Sequence, residues 1–230
     1  EKSRAELAQI ETADEQAAAL RAELDKAREE TVQSAEKLTA ARKKAAESFE
    51  KRVAEELRFL DMPRVEFCVS ITQTALTVRG GDHVEFLISA NPGEPAKPIA
   101  QIASGGELSR IMLAIKSVMA ETDDIDTLIF DEVDAGISGH AAVKVGIKLR
   151  QTAAHRQILC VTHLAQIAAR GHHHLLIQKA IKNGRTCTTV LPLDADGSEK
   201  ELARIIGGSV TNATLQAAHE MRTDGQKEQA

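Results

Sequence analysis

The chain runs to Pro63 before meeting a residue that forces a helix to stop, and no glycine occurs before Gly80. That stretch constrains the fold more than any other, because helix-forming residues without a breaker have one regular structure open to them. Apolar and small residues recur in it every seven positions. Ile10, Ala17, Leu24, Thr31, Leu38 and Ala45 make one line, and Ala13, Leu20, Ala27, Ser34, Ala41 and Ser48 a second. Charges of both signs flank this seam, and Glu47 precedes Lys51 at a favourable helical spacing. Residues 1–60 are therefore expected to form a coiled-coil arm, roughly 85 Å long if unbroken. A single solvated helix is the plainer alternative, but it has no reason to keep a seam over so many heptads. Small seam residues favour close approach of one partner helix, and nothing else in the sequence supplies it.

Pro63 pushes Met62 out of the helical region, and beyond it the period changes to two. Val65, Phe67 and Val69 alternate, then residues 75–78 and 84–88 do so on either side of Gly80-Gly81, which predicts a small antiparallel sheet turning at the glycines. Residues 91–98, with three prolines, read as a loop. Helices and strands then alternate. A helix is expected from Gly106 to about Glu121, with Leu108, Ile111, Met112 and Ile115 on one face, then a buried strand over 126–130. A helix over 139–154, a buried strand over 157–161 and a short helix over 164–169 follow. Strands over 174–178 and 186–191 flank Asn183-Gly184, a strong turn signal. Helices near 199–206 and 212–221 precede a polar tail from Arg222. Buried strands alternating with helices predict an α/β unit over 61–230 with a largely parallel sheet.

Composition removes several classes of function. There is no Trp or Tyr and only five Phe, so the core must rest on Leu, Ile, Val and Ala. The three cysteines, Cys68, Cys160 and Cys187, stand far apart in apolar runs and read as buried free thiols of a reducing compartment, without metal-ligand spacing. No apolar run approaches membrane-spanning length and no signal-peptide pattern opens the chain, so a cytoplasmic location is expected. The net charge is −5; residues 1–60 carry 12 basic and 14 acidic side chains and the remainder 17 and 20. Neither part is basic, so charge alone gives no argument for nucleic-acid binding.

The chemistry lies in three short segments. Leu128-Ile129-Phe130 runs into Asp131-Glu132, and a carboxylate just past a buried strand sits where α/β proteins bind ligands. One such acid can hold Mg²⁺ and its neighbour can orient an attacking water, although a lone pair of this kind is more often solvated. Asp134 follows in a Gly-rich stretch, and a second strand ends in Thr162-His163. Adjacent strand ends would bring Asp131, Glu132 and His163 to one crevice, where His163 could meet a terminal phosphate or hold water. Ser104-Gly105-Gly106 at a helix start offers free N–H groups to an anion. The same residues suit an ordinary capping box, Ser104 with Glu107, and the two roles can coexist in different states. His172, His173 and His174 point alternately if extended, which argues against one shared metal.

This constellation resembles the ABC-type ATPase heads. Ser104-Gly105-Gly106-Glu107 resembles their signature motif, Leu128 to Glu132 the Walker B strand, Asp134 to Gly139 the D-loop and Thr162-His163 the switch histidine. The heptad arm narrows the resemblance to the SMC-like ATPases of chromosome maintenance and repair. Residues 102–116, 131–139 and 85–95 look like bacterial DNA-repair members of that group, and the resemblance covers about residues 60–220. It implies the C-terminal lobe of a head, with a mostly parallel sheet, flanking helices and a small antiparallel sheet. It also implies a homodimer in which two heads sandwich ATP. Asp131 would then position Mg²⁺, Glu132 polarise the attacking water and His163 sense the γ-phosphate. Ser104, Gly105, Gly106 and Glu107 would serve nucleotide bound to the opposing head, and Asp134 would lie at the dimer seam. The implied activity is ATP hydrolysis that controls DNA binding or end tethering in double-strand break repair and recombination, close to the nucleoid.

The chain departs from the pattern in one respect: no Gly-x-x-x-x-Gly-Lys-[Ser/Thr] occurs in it. It also opens inside a heptad without methionine. It is expected to be the returning arm and C-terminal lobe of a longer protein, inactive alone, whose partners include its own N-terminal lobe and outgoing arm. A transport ATPase would lack the long arm. A non-enzymatic scaffold with a relic head, or a head from another SMC-like protein, are the remaining alternatives.

Overall fold

The structure, a computed structural model, describes residues 2–89, 93–101, 105–120, 122–182 and 185–227. Its architecture is α/β. Helix α1 is continuous over Lys2–Phe59. It stops as a left-handed cap stops a helix: Asp61 takes φ 58° and the Met62 N–H returns to the Leu57 carbonyl at 2.9 Å, just ahead of Pro63.

The chain divides into two compact units, the first made of Glu1–Glu50 and Cys68–Leu87. Strands β1 (Glu66–Thr77) and β2 (Gly80–Ser89) form a hairpin, and β3 (Lys97–Pro98) follows in the order β1-β2-β3. The turn is Val78-Arg79, not the expected Gly80-Gly81, and β1 runs unbroken from the first alternating run into the second. Gly80 is instead the first residue of β2, with φ 99°, and a Cβ there would stand 2.9 Å from Leu38 Cδ2. The seam residue Leu38 thus packs on the hairpin. Thr39 donates to both oxygens of Asp82 at 2.8 Å and Arg42 adds a 3.1 Å bond to Asp82 Oδ2. The Thr39 bond first, and Arg42 after it, hold the Asp82 carboxyl below its usual range. Glu50 accepts the Val69 N–H at 2.7 Å, and the Phe49 and Phe86 rings meet at 5.6 Å. Farther up the arm, Leu20, Leu24 and Val32 are exposed.

The second unit comprises Lys51–Phe67 and Ile88–Ala230. Its α2 (Gly105–Val118), β4 (Thr127–Phe130), α3 (Gly139–Thr152), β5 (Gln157–Cys160) and α4 (Ala165–Ala168) hold the candidate site. Strands β4 and β5 pair in parallel, with Phe130 opposite Cys160, as a helical crossover requires. They were expected to be buried on both faces. Leu128 and Phe130 are buried, but Ile129 is 71% exposed and Leu159 40%, because the described helices cover one face of the pair. The core around them uses Leu57, Leu60, Ile111, Leu113, Val133 and Val145, each 2% exposed or less, together with Phe130 of β4 at 6%.

Strands β6 (His174–Lys182) and β7 (Arg185–Leu193) form a separate antiparallel hairpin, and the predicted Asn183-Gly184 turn lies outside the described residues. Helix α5 (Ala195–Gly207) begins earlier than its apolar pattern indicates, because Asp194 caps it by accepting the Gly197 N–H at 2.7 Å. Helix α6 (Asn212–Lys227) runs past Met221 into the expected tail. Gly225 suits that extension: a Cβ there would stand 3.0 Å from Arg170 Cγ and 3.1 Å from the Ala169 carbonyl, so a larger residue would make the neighbours give by a few tenths of an ångström. Small residues on both sides, Ala165, Ala169, Ala203 and Ala218 with Leu202, form the resulting contact. The three cysteines are free but half-buried, not buried as expected.

Candidate functional site

The site begins where β4 ends. Asp131 and Glu132 are exposed, whereas Val133 and Asp134 turn inward at 0% and 3% exposure. The backbone of Glu132 makes that reversal with φ 57°, and Ala135 closes the turn by donating to the Glu132 carbonyl at 3.0 Å. A left-handed backbone at a residue with a side chain costs about 1–2 kcal/mol and tends to persist at functional positions. Among the described residues neither the Asp131 nor the Glu132 carboxylate has a hydrogen-bond or ion-pair partner. Both remain available to an incoming group.

Helix α2 fixes this loop from one side. Ser109 donates to the Asp131 carbonyl at 2.8 Å. Arg110, 6% exposed, donates from Nη1 to the carbonyls of Ala135 at 2.8 Å and Val133 at 3.4 Å. Burial holds its guanidinium below the ordinary value, with the Glu107 charge opposing that shift. Sequence reading gave neither residue a role. A signal existed for Arg110, since it lies in helical register with the buried Ala114 and Val118.

The glycines of the signature-like turn permit this docking. A Cβ on Gly106 would stand 2.7 Å from the Ala135 carbonyl oxygen, and one on Gly105 would stand 2.6 Å from Glu132 Oε2. Gly105 is exposed at the helix start and Glu107 is exposed in its first turn, while Gly106 is buried. Ser104 lies outside the described residues.

Strand β5 supplies the other side. Val161 continues the pairing by donating to Phe130 at 2.9 Å, and the chain then presents Thr162 and His163. Asp134, expected at a dimer seam, is turned into the protein. Its Oδ2 accepts the Thr162 hydroxyl at 2.6 Å and the His163 N–H at 2.9 Å, and lies 3.0 Å from His163 Nδ1. The His163 ring itself is 74% exposed. Cys160, just before, is pushed up to about 12 by burial and then by the charges of Asp134 and Asp131, so its thiol stays protonated. The structure thus joins Asp134 to His163 and sets Glu132 against Gly105, around one pair of strand ends.

The residues fit Mg²⁺ in one respect. Asp131 is a single open carboxylate, and Mg²⁺ typically takes one or two such groups with waters and substrate phosphates. No cluster of three or more His, Cys, Asp or Glu suited to a metal occurs among the described residues, so the remaining ligands would come from water and nucleotide. His174 Nε2 pairs with the Ala168 carbonyl at 2.7 Å, and burial lowers the pKa of that ring. No described helix is long and apolar enough to cross a membrane.

No protein-family model matches the chain. Among curated proteins, the DNA repair protein RecN of Vibrio cholerae is 43% identical over 219 residues, covering 94% of this chain and 40% of that one. The RecN of Bacillus subtilis is 48% identical over 147 residues, covering 64% of this chain and 26% of its own length. The chain therefore spans two fifths or less of these relatives. Among solved structures, an Smc head domain with coiled coil and joint from Pyrococcus yayanosii gives a TM-score of 0.48 at 19% identity, over 68% of this chain and 28% of that one. The assignment rests on the sequence relatives alone: the chain belongs to the RecN family of DNA repair proteins and represents part of a member's length.

Proposed function

We propose that this chain is the returning coil arm and C-terminal lobe of an SMC-like, ABC-type ATPase head that acts in bacterial DNA double-strand break repair. The observation that carries the reading is the end of β4, which holds two open acids, Asp131 and Glu132, beside the Thr162-His163 end of β5. Asp131 binds the Mg²⁺ of MgATP. When bound, the ion supplies charge neutralisation at the transferring phosphoryl group. Glu132 orients and polarises the attacking water, and the exposed face of His163 meets the γ-phosphate. Ser104, Gly105, Gly106 and Glu107 address nucleotide held by a second head, so that hydrolysis follows head pairing. The phosphate cradle belongs to an N-terminal lobe, which would also cover the exposed face of β4 and β5 that carries Ile129 and Leu159. The exposed seam residues Leu20 and Leu24 support a coiled coil with an outgoing arm. On this reading the protein works in the cytoplasm at the nucleoid, with DNA as its partner.

DNA engagement is tested by mobility shift on a protein of full family length carrying this chain, with single- and double-stranded DNA across a salt series. The expected result is binding whose logarithm falls linearly with the logarithm of salt concentration. Absence of binding to either form at low salt, with and without ATP, would contradict the repair assignment.

A further inference from the structure

The histidine in this reading is exposed, and an exposed imidazole on a loop has two χ angles free unless something holds it. Here one oxygen holds the whole segment. Asp134 Oδ2 accepts the Thr162 hydroxyl and the His163 backbone N–H at 2.6 and 2.9 Å, and lies 3.0 Å from His163 Nδ1. The Thr162 hydroxyl accepts the Leu164 N–H at 3.1 Å in turn, which orients its own hydrogen toward the carboxylate. A carboxylate oxygen only accepts, so at this distance it favours the ring form that carries its hydrogen on Nδ1. Asp134 can do this because its carboxylate is 4% exposed, so little water competes for it.

Asp134 is itself fixed from the opposite direction. It lies between Val133 and Ala135, whose carbonyls both accept from the buried Arg110 of α2. A continuous set of contacts therefore runs from the signature-like helix through Arg110 to the loop carrying Glu132 and Asp134, and from Asp134 to the His163 ring. We infer that Asp134 is the positioning residue for His163: it fixes the ring's tautomer and direction and so links the α2 end of the site to the phosphate-facing histidine. This inference rests on the role proposed for His163.

The test is a double-mutant cycle in a protein of full family length that carries this chain, read as kcat and KM for ATP. His163→Ala alone establishes that the ring matters. Asp134→Ala is expected to lower kcat about 10- to 100-fold with KM nearly unchanged, as the loss of an orienting partner does. Asp134→Asn, which can keep an oxygen at the Oδ2 position, should fall between it and the parent and guards against a simple folding failure. In the His163→Ala background, Asp134→Ala should cost nothing further. Equal losses from Asp134→Ala in both backgrounds would overturn the inference, since a purely structural role is blind to the ring. Parent-like kcat for Asp134→Ala, when His163→Ala is inactive, would also overturn it and leave the ATPase reading standing. Full turnover by His163→Ala would remove the role of the histidine and the inference together.

Discussion

Glu132→Gln, in a protein of full family length, is expected to lower steady-state ATP turnover by about 100-fold or more. Glutamine has nearly the size of glutamate and can take the same left-handed backbone at φ 57°. It can also occupy the space beside Gly105, where Oε2 now sits. What it lacks is the charge that polarises a water. The variant should therefore fold, bind MgATP through Asp131 and pair its heads, yet fail at the chemical step. Phosphate release measured under saturating ATP checks the first expectation. Hydrolysis at the parent rate would remove Glu132 from the role given to it.

Gly106→Ala should inactivate by a different route. In a helix, alanine is ordinarily favoured over glycine by about 0.5–1 kcal/mol, so propensity alone predicts a more stable protein. The contact predicts the reverse. The added Cβ would meet the Ala135 carbonyl oxygen and Cβ at 2.7 Å and the Glu132 carbonyl at 3.2 Å. Backbone atoms cannot step aside as a side chain can, and overpacking of this kind costs about 1–3 kcal/mol. The shift would also move the loop that carries both acids and loosen the Arg110 bonds to Val133 and Ala135. The expected outcome is a destabilised protein with turnover near background. Gly105→Ala is the control for the sign, because among the described residues its Cβ meets only the end of the Glu132 side chain, which can swing away. Thermal unfolding of the two variants should separate them; equal stability would contradict the docking described for α2.

What the sequence made legible was what is local. The breaker-free run before Pro63 forms a single helix because each residue needs only its neighbours three and four positions away. The order of the three chemical segments could be read for the same reason: each is a short string at the end of one element. The misplaced features depend on contacts between distant parts of the chain. Gly80 looked like a turn residue, yet its conformation and lack of side chain serve the approach of Leu38. The tail after Met221 looked polar, yet Gly225 seats it on Ala169. Arg110 was given no role, and Asp134 was placed only by resemblance, at a dimer seam. Both are buried because carbonyls and donors from elements some 25 residues away converge on them. The open faces of β4 and β5 could not be foreseen, since alternation and burial read alike in strands four residues long.

The central claim is that the acids of one chain and the signature-like turn of another complete a common site. Mixing two inactive variants tests it most directly. Glu132→Gln keeps an intact turn and loses the acid; Ser104→Arg loses the turn and keeps the acid. In a random mixture half the pairs are mixed, and each mixed pair has one complete site, so ATPase activity should return to about a quarter of the parent rate. Activity that stays at background when the two are mixed, under conditions where the parent pairs and hydrolyses ATP, would contradict the account.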